Sequence, residues 1–197
     1  MTPILIGLAG RAGSGKDTVG AIIRTHFNTR GYGTQLLSFA GPLKKICQEV
    51  YDFSDRQMTV LEEKNAPDMR YPRADGTFLT PREAMQKLGS EWGRACYPGT
   101  WVDYGIRLAE QAMYPTPFGI WRNVVFTDVR FINEAKAIRN INGQVWRIRR
   151  PEADAVPASH LSETEMDSEE FWAVVDYWVL NNGSLEHLVG AVKALLP

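Results

Sequence analysis

PILIGLAGRAGSGK, residues 3–16, decides the fold. Its first half, Pro3 to Ala9, is an unbroken apolar run of strand length, and its second half packs three glycines around a serine before Lys16. From Asp17 to about Thr29 the apolar residues Val19, Ile22, Ile23, His26 and Phe27 recur at helical spacing, so the segment predicts strand, glycine-rich turn and amphipathic helix in succession. In that context Gly10, Ala12, Gly13, Ser14, Gly15 and Lys16 make a phosphate-binding loop. Glycines let backbone N–H groups turn toward phosphate oxygens, the helix N-terminus adds its positive dipole end, and the lysine reaches the outer phosphates. The position after the lysine, usually Ser or Thr, is Asp17, and the hydroxyl follows at Thr18. Asp17 has three readings: a Mg²⁺ contact through water, a group orienting the attacking phosphate, or a helix cap.

Further apolar runs at about 34–40, 123–128, 144–149 and 174–180 alternate with helical patterns. This is the sequence form of an α/β fold with one five-stranded parallel sheet and crossover helices. His26 falls on the apolar stripe of the first helix and reads as a packed histidine. Thr80-Pro81-Arg82-Glu83 is a capping box with proline at the first helical position, predicting a helix from Pro81 to about Ala95. Regular α-helical spacing puts Ala84, Met85, Leu88, Trp92 and Ala95 on its core side and Arg82, Gln86, Gly89 and Gly93 on another face. Glycine is unfavourable inside a helix, so Gly89 and Gly93 imply close approach by a helix or a ligand. Residues 64–79 read as a surface loop or small insertion. The stretch 152–170, with seven acids and no Lys or Arg, reads as a solvated connector. A last helix follows Ser184.

The third strand ends on Asp128, the form of a metal-binding carboxylate at the carboxyl edge of an open α/β sheet, where ligands bind. Arg130, two residues on, reads either as a phosphate clamp or as the partner of Asp128 or Glu134. Arg147, Arg149 and Arg150 close the fourth strand; at least one is expected at the surface, yet phosphoryl transfer requires cations beyond one lysine.

The chain of 197 residues carries 22 Lys plus Arg against 23 Asp plus Glu, a net charge of −1. That balance excludes a general nucleic-acid or membrane-surface binder, which shows a basic excess. Cys47 and Cys96 lack metal-type spacing, so neither a disulfide framework nor a zinc site is expected, and a reducing cytoplasm fits. The N-terminal apolar run is too short for a signal segment or a membrane span, which predicts a soluble, unprocessed chain.

These residues resemble the deoxynucleoside monophosphate kinases of tailed bacteriophages, relatives of other P-loop nucleotide kinases. The resemblance is carried by GRAGSGKDTV (10–19), FAGPLKK (39–45), TPREAMQKLGSEWGR (80–94), Trp101-Val102, DVRFINEAKAI (128–138), Arg149-Arg150-Pro151, HLSE (160–163) and NGSLEHL (182–188). Nucleoside monophosphate kinases also tend to place their hydroxyl second after the lysine. The resemblance implies ATP-dependent phosphorylation of dNMPs with Mg²⁺, and a single domain of strand order 2-3-1-4-5. It implies an acceptor-binding helical insertion at about 42–115 and a lid-like segment at about 150–168.

By position, the resemblance assigns Lys16, Asp17, Arg130 and Arg150 to catalysis, and the loop residues with Thr18 to ATP. Asn182 and Gly183 match the turn bordering adenine. Lys44, Arg82, Gln86, Trp101, Asp128, Arg130 and Glu134 go to the dNMP, and Thr18, Asp17 and Asp128 to the metal. The partners implied are small molecules, with neither nucleic acid nor membrane; a homodimer is left open, and the location is the cytoplasm, that of a host if the chain is phage-encoded. The competing readings are another small-molecule kinase such as dephospho-coenzyme A kinase, whose ending resembles NGSLEHL, and an ATP-hydrolysing switch. The acceptor-side arginines Arg82 and Arg130 argue for a second nucleotide site.

Overall fold

A computed structural model describes residues 2–114, 122–155 and 165–197. Strands β1 (Leu5–Ala9), β2 (Gly33–Leu37), β3 (Arg122–Val129), β4 (Gln144–Arg149) and β5 (Tyr177–Leu180) form one parallel sheet in the order β2-β3-β1-β4-β5. The helices are α1 (Lys16–Asn28), α2 (Gly41–Tyr51), α3 (Asp55–Thr59), α4 (Leu61–Asn65), α5 (Pro81–Gln86), α6 (Thr100–Met113), α7 (Ile132–Asn140), α8 (Pro151–Asp154), α9 (Glu169–Trp172) and α10 (Leu185–Ala194). A π-helical stretch (Lys87–Arg94) continues α5, and a 3₁₀ turn (Glu165–Asp167) precedes α9. The chain divides into two compact units, Met1–Phe39 with Tyr104–Pro197, and Ala40–Asp103.

In the larger unit the sheet is covered on both faces, which is why its strands read as unbroken apolar runs. Alternation along each strand sorts the side chains. Leu5, Ala9, Val124, Phe126 and Val145 face Ala109 of α6, Ala135 and Ile138 of α7, Met166 and Phe171. Ile6, Leu8, Val125, Trp146 and Ile148 face Val19, Ile23 and Phe27 of α1 and Leu188 and Val192 of α10. His26 is buried edge-on against Phe27, its Nε2 3.3 Å from the Pro197 carbonyl, as its place on the stripe predicts. β2 ends earlier than its apolar run because Ser38 and Phe39 turn to Asp128. β5 starts later, since Asp176 first caps the neighbouring strand through the Val145 N–H (2.8 Å).

The smaller unit packs Cys47, Phe53, Met58 and Ala84 with Tyr51, Tyr71, Leu79, Met85 and Leu88. Residues 64–79, expected as a surface loop or small insertion, are built into it through Tyr71 and Leu79. Asp68 is buried there, receiving hydrogen bonds from Arg70 Nε (3.0 Å) and Nη2 (2.8 Å) and from Gln57 Nε2 (2.9 Å). The Tyr71 hydroxyl donates to the Tyr51 carbonyl at 2.6 Å.

The helix from Pro81 begins as the capping box predicts, the Glu83 N–H donating to Thr80 Oγ1 at 3.2 Å. Its faces differ from expectation. Trp92 and Ala95 are exposed, while Gly89 and Gly93 are buried. The i→i+5 bonding of the π stretch widens each turn and rotates the residues beyond Lys87 out of α-helical phase. The room left by Gly93 is taken by a planar group, but that group is Trp101, while a Cβ on Gly89 would meet Leu43. The Trp101 indole N–H donates to the Gly89 carbonyl at 2.9 Å, and a Cβ on Gly93 would lie 2.3 Å from the ring. Gly93→Ala is therefore expected to cost about 1–3 kcal/mol by overpacking, whereas Gly190→Ala, in open space within α10, should gain up to about 1 kcal/mol from helix propensity. Urea midpoints of the two variants check the contrast.

Among the described residues no helix is long and apolar enough to cross a membrane.

Candidate functional site

β1 ends at Ala9 and the chain leaves the sheet directly into the glycine-rich loop, which closes on the first turn of α1. The loop is tightened by the Ser14 N–H donating to the Arg11 carbonyl (3.1 Å). Gly15 sits at φ 99, and a Cβ there would come within 2.5 Å of Asn181 Nδ2; both the backbone conformation and the neighbour require glycine. That neighbour is structural. Asn181 Nδ2 donates to the Ser14 carbonyl at 2.9 Å, so the turn after β5 clips the loop in place.

Lys16 is buried. Its ammonium donates to the carbonyls of Gly10 and Arg11, each at 2.8 Å, folding the side chain back over the loop's concave side. Burial, then the nearby Arg130 guanidinium, lowers its pKa from 10.5 to about 8, while Asp17 and Asp128 pull in the opposite direction. The Ser14 hydroxyl is buried without a partner. A desolvated ammonium with one N–H unspent and an unmatched buried hydroxyl describe a pocket built around an anion.

Ala12, Gly13, Asp17 and Thr18 are exposed at the loop and the head of α1. Asp128, at the carboxyl end of β3, accepts hydrogen bonds from Ser38 Oγ (2.6 Å) and the Phe39 N–H (2.8 Å). Arg130 is half-buried, and its guanidinium lies close enough to Lys16 to lower that group's pKa.

Glu134 is buried, and its carboxylate accepts the backbone N–H groups of Arg130 (2.8 Å) and Phe131 (3.2 Å). One of its oxygens thus caps α7. Arg150 is exposed and pairs with Glu152 at 3.2 Å. Asn182 and Gly183 are exposed beside the clipping Asn181.

In the smaller unit Lys44 and Arg82 are half-buried and Gln86 is exposed. Arg82 Nε is buried without a hydrogen-bond partner. Trp101 is spent on Gly89 and Gly93, so its indole N–H is not open to a substrate. Of the expected lid-like segment, 156–164, with HLSE, lies outside the described residues. The flanking parts are not the solvated connector expected from their acids. Asp154 pairs with Arg149 (2.8 Å), Asp167 with both Arg11 and Arg147 (2.6 Å each), and Glu165 accepts the Ile132 N–H (2.6 Å). No sequence motif marks Asp167 or Asn181, and Arg147 reads only as one of three cations closing β4, yet all three touch the loop or its partners.

No protein-family model matches the chain. A curated protein of Acanthamoeba polyphaga mimivirus, named "Putative deoxynucleotide monophosphate kinase", is 30% identical over 200 residues, covering 96% of this chain and 94% of that protein. Among solved structures, a dephospho-CoA kinase from Campylobacter jejuni superposes with a TM-score of 0.52 at 14% identity, over 98% of this chain and 94% of that one. TT1252 from Thermus thermophilus gives a TM-score of 0.49 at 18% identity, over 100% and 97%. The dephospho-CoA kinase likeness is one of fold, a P-loop kinase sheet with its glycine-rich loop after β1. The mimivirus likeness runs along nearly the whole of both sequences and goes further: this chain belongs to the deoxynucleotide monophosphate kinase family of P-loop kinases.

Proposed function

We propose that the chain transfers the γ-phosphoryl group of ATP to the 5′-phosphate of a deoxynucleoside monophosphate, forming the diphosphate and releasing ADP. The observation that carries this reading is the buried Lys16, held over the loop by two carbonyls with its charge unmatched. An acceptor phosphate oxygen attacks the γ-phosphorus as the bond to the β,γ-bridging oxygen breaks, and the electron pair leaves on ADP. The attacking oxygen is already anionic at neutral pH, so no general base is required and catalysis is positioning with charge stabilisation. Lys16 and the loop N–H groups hold the donor phosphates. Arg130, close enough to depress the Lys16 pKa, is the cation for the phosphoryl group in transit. Arg82 and Gln86 are read as acceptor-binding groups, Lys44 as a further cation for the acceptor, and Asn182 and Gly183 as the border of the adenine.

Mg²⁺ belongs to this reading. No group of three or more His, Cys, Asp or Glu among the described residues forms a metal cage, but Mg²⁺ in kinases takes most ligands from phosphates and water and one or two from protein oxygens. The Thr18 hydroxyl and the Asp17 and Asp128 carboxylates are oxygen donors of that kind and would hold it. When bound, the ion offsets charge on the bridging and γ oxygens.

An ADP-release assay against the four dNMPs, the NMPs and dephospho-coenzyme A tests the proposal. ADP formation that depends on a dNMP is expected; ADP released without an acceptor, or with dephospho-coenzyme A alone, overturns it.

The Lys16 pKa adds a pH prediction. The folded value of about 8 lies below the ordinary 10.5, so the charged form is penalised by folding. This group therefore detracts most from stability below pH 8, and the deficit is recovered as pH rises toward 10.5. A bound polyphosphate favours the ammonium. ATP binding between pH 8 and 10 is thus expected to take up a proton, and affinity to fall by up to about tenfold per pH unit. Calorimetry in buffers of different ionisation enthalpy measures both; proton release on binding would contradict the assignment.

A further inference from the structure

Arg147 stands one strand away from the phosphate loop. In the β1–β4 ladder it pairs with Ala9, the residue at which the chain leaves the sheet for the loop. Its side chain lies within the protein, 2% exposed. Nη2 donates to Asp167 Oδ1 at 2.6 Å, whereas Nε and Nη1 are buried with no hydrogen-bond partner. The other oxygen of Asp167 accepts from Nη2 of Arg11 at 2.6 Å, and Arg11 is the second residue of the loop. Asp154 gives its carboxylate to Arg149 and its carbonyl to Arg11 (3.0 Å). The Asp167 carboxylate thus bridges the two guanidinium groups. A buried guanidinium with two vacant donors is costly unless an acceptor arrives, and the group beside it in the fold is a loop shaped for a polyanion.

We propose that Arg147 and Arg11 form a paired-arginine anion seat beside the phosphate loop, with Asp167 as its resident internal anion and a phosphate oxygen of the bound polyphosphate as the group that displaces it. This rests on the reading of the loop as a polyphosphate site and extends it to two residues twenty positions apart. Arg147 then contacts the ligand through its vacant Nε and Nη1, and Asp167 damps affinity by neutralising the guanidinium and holding its Nη2. Asp167 differs in this from an acid that merely repels phosphate, because its effect operates through Arg147.

The test uses the full-length chain and inorganic tripolyphosphate, titrated calorimetrically, with far-UV spectra confirming the fold of each variant. Asp167→Asn is expected to bind about tenfold more tightly than wild type. Arg147→Met combined with Asp167→Asn replaces the buried pair by neutral groups of similar size, an exchange that folds tolerate, and should abolish that gain. Arg147→Lys keeps the charge but loses the fork, and should bind about tenfold more weakly than wild type. An Asp167→Asn affinity equal to or below wild type, a gain that survives in the double variant, or an unchanged affinity in Arg147→Lys each overturns the proposal. Lys16→Ala separates the two levels of argument. If it binds tripolyphosphate as well as wild type, the loop reading itself fails; if it binds weakly while the Asp167 and Arg147 variants are indistinguishable from wild type, only the anion seat fails.

Discussion

Lys16→Ala is expected to lower kcat by about 10²–10³-fold, the loss usual when a positioned charge donor is removed, while the protein stays folded. The two expectations share one cause. The Lys16 ammonium is buried and makes two hydrogen bonds, both to carbonyls of its own loop. Removing it forfeits those bonds but also abolishes a desolvated charge whose depressed pKa records a folding penalty. The stability balance is therefore small. The catalytic balance is not, because the ammonium matters most when charge builds on the departing oxygens, which places its contribution in the transition state. Steady-state kinetics with saturating ATP and dNMP, beside a thermal melt, measure both quantities. A variant retaining more than about a tenth of wild-type kcat would remove Lys16 from the chemistry against the 10²–10³ reference.

The parts of the fold that read directly from the sequence are those in which one local pattern determines the outcome. β1, β3 and β4 are continuous apolar runs because both faces of the sheet are covered, and the loop between β1 and α1 is legible because glycine, serine and lysine occur at fixed spacing after a strand. The helix start at Pro81 is equally local, resting on the Thr80 cap. Its continuation misleads, since a face assigned by 3.6-residue spacing cannot anticipate a π stretch that buries Gly89 and Gly93 and exposes Trp92. The site divides in the same way. Asn181 carries no motif; its role is a side-chain hydrogen bond to a residue 167 positions earlier. Asp167 lies in an acid-rich stretch whose composition suggests solvation, yet one of its oxygens meets Arg147 and the other Arg11. Glu134, an acid six residues beyond Asp128, gives one oxygen to the N–H groups at the start of α7, a tertiary use its position in sequence does not show. Composition indicates which charges exist, and only tertiary pairing determines which remain available.

Availability also sets the second large effect. Arg130→Ala is expected to reduce kcat/KM by about 10²-fold or more for every dNMP alike, with the ATP KM little changed, because a guanidinium binds phosphate oxygens, which all acceptors share. The Arg130 contact with the buried Glu134 carboxylate is made by the backbone N–H, which the alanine retains, so the variant should fold normally. Arg82, whose Nε is buried without a partner, should show the same indifference to the base. Gln86 differs in chemistry: an exposed amide offers one donor and one acceptor edge, the complement of a base rather than of a phosphate. Gln86→Ala is accordingly expected to alter the ranking of the four dNMPs through KM, at nearly constant kcat for the best of them. Rate profiles against all four acceptors distinguish the roles. A base-dependent loss in Arg130→Ala would place that cation elsewhere than on the shared phosphate, and an unchanged ranking in Gln86→Ala would leave base selection to other groups, since losing an amide that contacts the base must affect bases unequally.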